Sequence, residues 1–215
     1  MHYHLELVMP PAGDIKAAVS RIMSPFYEGN ESEDASGHPF FDYWVIGGRY
    51  SGSKIEARIG TEKLDAFNAE LKRRKITVSG IVFGKEELSP SSQIAEVDAL
   101  WCEMFPESGI TVAPMFRHAK DLPLDICKLT DVPSGLLAYR VIIAAPTYDG
   151  KGIEAVSMFS QDLWNGCNYE KTTWDAKFST ALSMHIERSQ NYADGHKELV
   201  TPTPDWLAIT IDYHS

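Results

Sequence analysis

Gly47-Gly48-Arg49 is the segment whose residue types and spacing bear most directly on chemistry. Adjacent glycines allow backbone angles closed to other residues and let a ligand or another chain segment approach the main chain. An arginine after them can fork onto a carboxylate or a phosphate. Tyr43, Trp44 and Tyr50 flank the run and offer ring faces for stacking on a base or sugar. The pattern lacks the Gly-Lys-Ser/Thr of a Walker loop and the Gly-x-Gly-x-x-Gly of a dinucleotide fold. It therefore suggests binding of a small anionic molecule, of nucleotide or phosphate type. The plainer alternative is a strand-edge bulge with Arg49 paired to one of the chain's 30 acidic side chains.

A second set lies far apart in sequence. His2 and His4 fall near the start, and Asp212 and His214 near residue 215. Residues at i and i+2 of a strand share a face. If the two strands are neighbours, three imidazoles and a carboxylate converge. That donor set suits zinc or another divalent ion. It also suits acid–base catalysis, with His214 as base, Asp212 orienting it and Arg49 holding substrate charge. The alternative is a pair of solvated, frayed strand ends. A third reading is a protein-interaction module, using the acidic stretch at residues 31–34 and the aromatic run after it.

Other reactive residue types carry less. His185 shares a helical face with Phe178 and Leu182 and reads as core, and His38 reads as loop. There is no Gly-x-Ser-x-Gly elbow. Cys102, Cys127 and Cys167 are widely spaced, without Cys-x-x-Cys, so they form neither a disulfide framework nor a cysteine zinc site. Cys102 is expected in the core.

The elements that must position these groups follow from periodicity. Tyr3, Leu5, Leu7 and Met9 alternate with His2, His4, Glu6 and Val8 as a strand, ended by Pro10-Pro11. Asp14 caps a helix that puts Ile15, Ala18, Val19, Ile22 and Met23 on one face. Ile55, Ala57 and Ile59 alternate as a short strand. Thr61 caps a helix with Leu64, Phe67 and Leu71 inward. Residues 76–83 read as a strand. Ser91 or Ser92 opens a helix with Ile94, Val97, Trp101 and Phe105 on one stripe, and residues 110–116 read as a strand. Residues 136–144 suit a buried strand, and Asp149-Gly150 turns into a returning strand over 153–159. Thr172-x-x-Asp175 resembles a capping box. Leu207, Ile209, Ile211 and Tyr213 alternate as a last strand. Together these predict one α+β domain over 1–215, with a mixed, largely antiparallel sheet and helices packed on one face, ferredoxin-like or a variant. The stretch 116–134 is where a split into two lobes would fall.

The totals narrow the class. A 44% hydrophobic and 23% charged composition is ordinary for a globular chain. A formal net charge of −10 opposes bulk nucleic-acid binding. The basic run at residues 72–75 reads as the cationic end of a helix. No apolar run approaches the roughly 20 residues that span a bilayer. The first residues do not read as a secretory leader, so a cytoplasmic location is expected.

The run from Trp44 to Gly52 resembles a Trp-x-x-Ile-Gly-Gly-Arg-aromatic-Ser/Thr-Gly segment in a family of bacterial and phage proteins with no known activity. Pro25-Phe26-Tyr27-Glu28-Gly29-Asn30 is similar to that family's Pro-aromatic-x-Glu-Asn stretch, with one glycine inserted. Ile211-Asp212-Tyr213-His214 is similar to its Val-Asp-Cys-His ending. The resemblance implies roles for Glu28, Asn30, Arg49, Asp212 and His214. Tyr213 stands where the family has cysteine, which argues against a cysteine mechanism.

Overall fold

Apolar residues every second position along residues 2–9 and 207–214 make two strands that pair with each other. In the computed structural model, which describes residues 1–29, 40–78, 93–114, 125–133, 136–147, 150–160 and 203–215, these are β1 (His2–Met9) and β6 (Leu207–His214). Between them lie α1 (Ile15–Met23), β2 (Tyr43–Ile46), α2 (Ser53–Ile59), α3 (Thr61–Arg73) and α4 (Ile94–Met104). Then follow β3 (Ile126–Lys128), β4 (Arg140–Pro146) and β5 (Ile153–Ser160).

The strands form one mixed sheet in the order β2–β6–β1–β4–β5. The β1–β4 pair is parallel, and the β1–β6, β2–β6, β3–β6 and β4–β5 pairs are antiparallel. The chain is thus an α+β protein with a largely antiparallel sheet. A ferredoxin-like sandwich in particular is not established by this strand order. The β4–β5 hairpin turns near Gly150, at a φ of 68°.

Side-chain alternation gives the sheet two different faces. On one face Leu5, Leu7, Met9, Ile209, Ile211 and Tyr213 pack against α1, which presents Ala18, Val19, Ile22 and Met23. Asp14 caps α1 as expected, accepting a hydrogen bond from the Ala17 amide at 2.9 Å. The opposite face carries Val8 and Ala208 in a smaller apolar cluster with Val141, Ile143 and Trp206. Farther along the strands this face turns polar, with Glu6, Thr210, His4 and Asp212 all buried.

Helices therefore lie on both faces rather than one. α2 reaches the polar face through Lys54 and turns Ile55 and Ile59 toward α3 and α4. There Phe67, Leu71, Val97, Leu100 and Trp101 form a third core. The period-two alternation at 55–59 was misleading, because Ile55 and Ile59 are also one helical turn apart. Gly60, not Thr61, occupies the cap position of α3. Cys102 is exposed, since Val97, Leu100 and Trp101 already make the inward stripe of α4. Residues 76–78 and 110–114 are not strand. β4 starts only at Arg140, although Leu136 and Ala138 are buried before it. β3, a three-residue strand, is too short to announce itself by alternation. The remaining parts of the expected strands at 76–83 and 110–116, the loop at 31–34, His38, the capping box at Thr172, His185 and Cys167 lie outside the described residues.

Candidate functional site

β6 is shared along one edge by two strands, and the site is built where one stops and the other begins. β2 pairs with residues 211–214 of β6, and β3 with residues 207–209. Thr210 lies between them. The Gly47 amide donates to the Thr210 carbonyl at 2.9 Å, and the Thr210 amide donates to the Asp125 carbonyl at 2.8 Å. The chain leaves β2 through Gly47 and Gly48 into a single 3-10 turn, Gly48–Tyr50, and then enters α2.

Both glycines are required there. Gly47 has φ 75° and Gly48 φ 54°, in the half of backbone space that side chains disfavour. A Cβ on Gly47 would lie 2.2 Å from Asp125 Oδ2, and one on Gly48 would lie 2.5 Å from both Cβ and Oδ2 of Asp212. The close approach read from the sequence is real, and the groups that approach are the chain's own carboxylates. Asp212 Oδ2 accepts from the Arg49 amide at 3.0 Å, and Asp125 accepts from the Gly52 amide at 2.9 Å and from the Ser51 hydroxyl. Burial pushes the Asp125 carboxyl up in pKa, partly opposed by those two donors.

The first and last strands are neighbours, in the register His2↔His214 and His4↔Asp212. Their histidines do not gather around one point. His2 Nδ1 binds Asp212 Oδ1, His4 Nε2 binds Glu6 Oε1, and His214 Nδ1 binds Asp42 Oδ1, each at 2.8 Å. Three imidazoles thus meet three different carboxylates. Among the described residues no group of three or more His, Cys, Asp or Glu is arranged to hold a metal ion. In this arrangement His2, His4, Asp212 and His214 make separate carboxylate–imidazole pairs rather than one donor set. Asp212 orients His2 rather than His214, and the orienting partner of His214 is Asp42.

The His2 and His214 rings lie 5.2 Å apart at 65°. Tyr50 stacks on His4 at 4.8 Å with its ring 14° from parallel, and its hydroxyl donates to the His2 carbonyl at 3.1 Å. Trp44 points to the other face, partly buried against the α1 cluster. Glu28 is exposed, with its amide given to the Phe41 carbonyl at 2.8 Å, and Asn30 lies outside the described residues.

Behind this rim sits a closed polar core. Lys54 Nζ donates to Glu6 at 2.8 and 3.0 Å, to the Asp125 carbonyl at 3.2 Å, and to Thr210 Oγ1. Thr210 Oγ1 in turn donates to Glu6 at 2.6 Å. Burial raises the Glu6 pKa, but Lys54 and the His4 hydrogen bond more than offset it and hold the carboxyl at about 2. Cys127, half-buried beside this core, has its thiol pushed up to about 11 by burial, so it is a poor nucleophile.

Sequence reading missed Glu6, Asp42, Lys54, Asp125 and Thr210. Glu6 had a signal, since it follows His4 by two on the same strand face. Lys54 had a weaker one, as a cation two residues after Gly52 and beside Ile55. Asp42 and Asp125 are brought in only by tertiary pairing. No protein-family model, curated protein or solved structure matches the chain. No helix among the described residues is long and apolar enough to cross a membrane.

Proposed function

We propose that the chain is an acid–base enzyme acting on a small anionic substrate at the His2–His214 end of the sheet. One observation carries this reading: two imidazoles at 5.2 Å, each held at Nδ1 by a different carboxylate. A carboxylate on Nδ1 fixes the ring and its tautomer and leaves Nε2 to accept or donate a proton. Among the described residues neither Nε2 has a hydrogen-bond partner. Two such rings side by side suit a reaction in which one takes a proton while the other gives one. Asp212 ties His2 to the glycine-arginine segment, because the carboxylate that holds His2 also accepts from the backbone amide of Arg49. The amides of Gly47, Arg49 and Gly52 already serve Thr210, Asp212 and Asp125.

The test is hydrolysis of p-nitrophenyl phosphate, bis(p-nitrophenyl) phosphate and p-nitrophenyl acetate between pH 5 and 9. His2→Gln and His214→Gln should each lower kcat/KM by about 10²–10⁴, the range for losing a general acid or base. The pH profile of the parent should be bell-shaped. Rates unchanged in both variants would end the reading.

A further inference from the structure

The same face of the sheet carries a third residue in line with the two histidines. The β2–β6 register sets Tyr43 opposite His214, and the β6–β1 register sets His214 opposite His2. Directly opposed residues of antiparallel strands have Cβ atoms about 4.5–5.5 Å apart. Tyr43, His214 and His2 therefore form one row across three strands, with Val45, Asp212 and His4 as the row beneath.

An exposed tyrosine alone means little, because much of any protein surface is apolar. The other aromatic rings decide the matter. Tyr50 is stacked on His4, Trp44 is packed on the opposite face, and Tyr213 is buried. Two other tyrosines are also exposed, but both have ring partners: Tyr139 lies against Tyr3 at 4.7 Å and Tyr27 packs near Phe41 at 5.9 Å. Tyr43 is 56% exposed, and among the described residues its ring touches no other ring. Among the described residues it alone offers an open aromatic surface on the histidine face. Two acidic groups beside it are already engaged, Asp42, which precedes it in the chain, with His214, and Asp212 of the row beneath with His2.

Resting on the acid–base reading above, we propose that the substrate is a nucleotide-type anion whose planar base stacks on Tyr43 while its phosphate reaches the His2–His214 pair. Stacking on an aromatic side chain tolerates any base, because every base has a π-face. The site then selects for a ring joined to an anion without reading the identity of the base.

The test is isothermal titration calorimetry of the full chain with adenosine 5′-monophosphate and with ribose 5-phosphate, which has the anion but no ring. The parent should bind the nucleotide at least about tenfold more tightly, a factor within the range for one stacked base. Tyr43→Ala should weaken the nucleotide about tenfold and leave ribose 5-phosphate unchanged, and Tyr43→Phe should keep the parent's preference. Equal affinity of the parent for the two ligands would overturn the stacking role and leave the anionic site standing. So would a Tyr43→Ala variant that keeps the preference or loses both ligands alike. If the parent binds neither ligand, the anionic-substrate reading falls and the stacking role with it.

Discussion

Lys54 and Glu6 are a cation and an anion taken out of water together, each with a side chain only 1% exposed. Removing two charges from water costs several kcal/mol, and their attraction repays it only when geometry is good and the remaining donors are used. Both conditions hold, because Lys54 also serves the Asp125 carbonyl and Thr210, and Glu6 also takes His4 and Thr210. Breaking the pair leaves one buried charge alone. Lys54→Met should therefore cost about 3–5 kcal/mol in urea unfolding. The double variant Glu6→Leu with Lys54→Met should recover much of that loss. If the single and double variants are equally unstable, the charge is not the cause. At this scale the sequence was legible where chemistry and spacing coincided locally, as for Gly47, Gly48 and the His2/His4 strand face. It was opaque for Lys54, because nothing near it in sequence announces its partner 48 residues away.

Elements were legible in proportion to their length and to the clarity of their ends. The nine residues of α1 carry an apolar stripe, an Asp cap and a proline stop, and the helix forms where those signals put it. The seven residues of α2 are too few for period 3.6 to be told from period two, so an alternation of Ile55, Ala57 and Ile59 passed for a strand. α2 is also an element under electrostatic load. Burial alone pushes the Glu56 carboxyl up from 4.5 to about 7. A carboxyl with a raised folded-state value binds a proton in the folded chain that the unfolded chain has already released. Stability then falls as pH rises from about 4.5 through about 7. Glu56→Gln should accordingly raise the Tm relative to the parent, with the gap widening between pH 5 and pH 8. A gap that is constant with pH would mean that Glu56 is not the titrating group.

The described strands make one sheet whose two faces do different work, one greasy against α1 and one partly charged against α2. The α+β class could be read from the alternation of strand and helix patterns. The strand order could not, because pairing depends on residues that meet only in the folded chain. The charged face gives the protein an acid limb opposite in sign to that of Glu56. Glu6 is held below its ordinary value of 4.5, so its contribution is complete above about pH 4.5 and is lost as pH falls toward about 2. Acid unfolding of the parent should show this loss, and a Glu6→Gln variant should show a flatter profile over the same interval. β6 has one further consequence, which concerns assembly. It hydrogen-bonds β1 on one edge and both β2 and β3 on the other, yet it follows the other five described strands in sequence. β1, β2 and β3 precede β6 by some 80 to 200 residues, a long-range closure of the kind that slows folding. Among the described strands β1 can pair with β4 before β6 is made, and the edges that β6 later covers are until then a template for pairing with another chain.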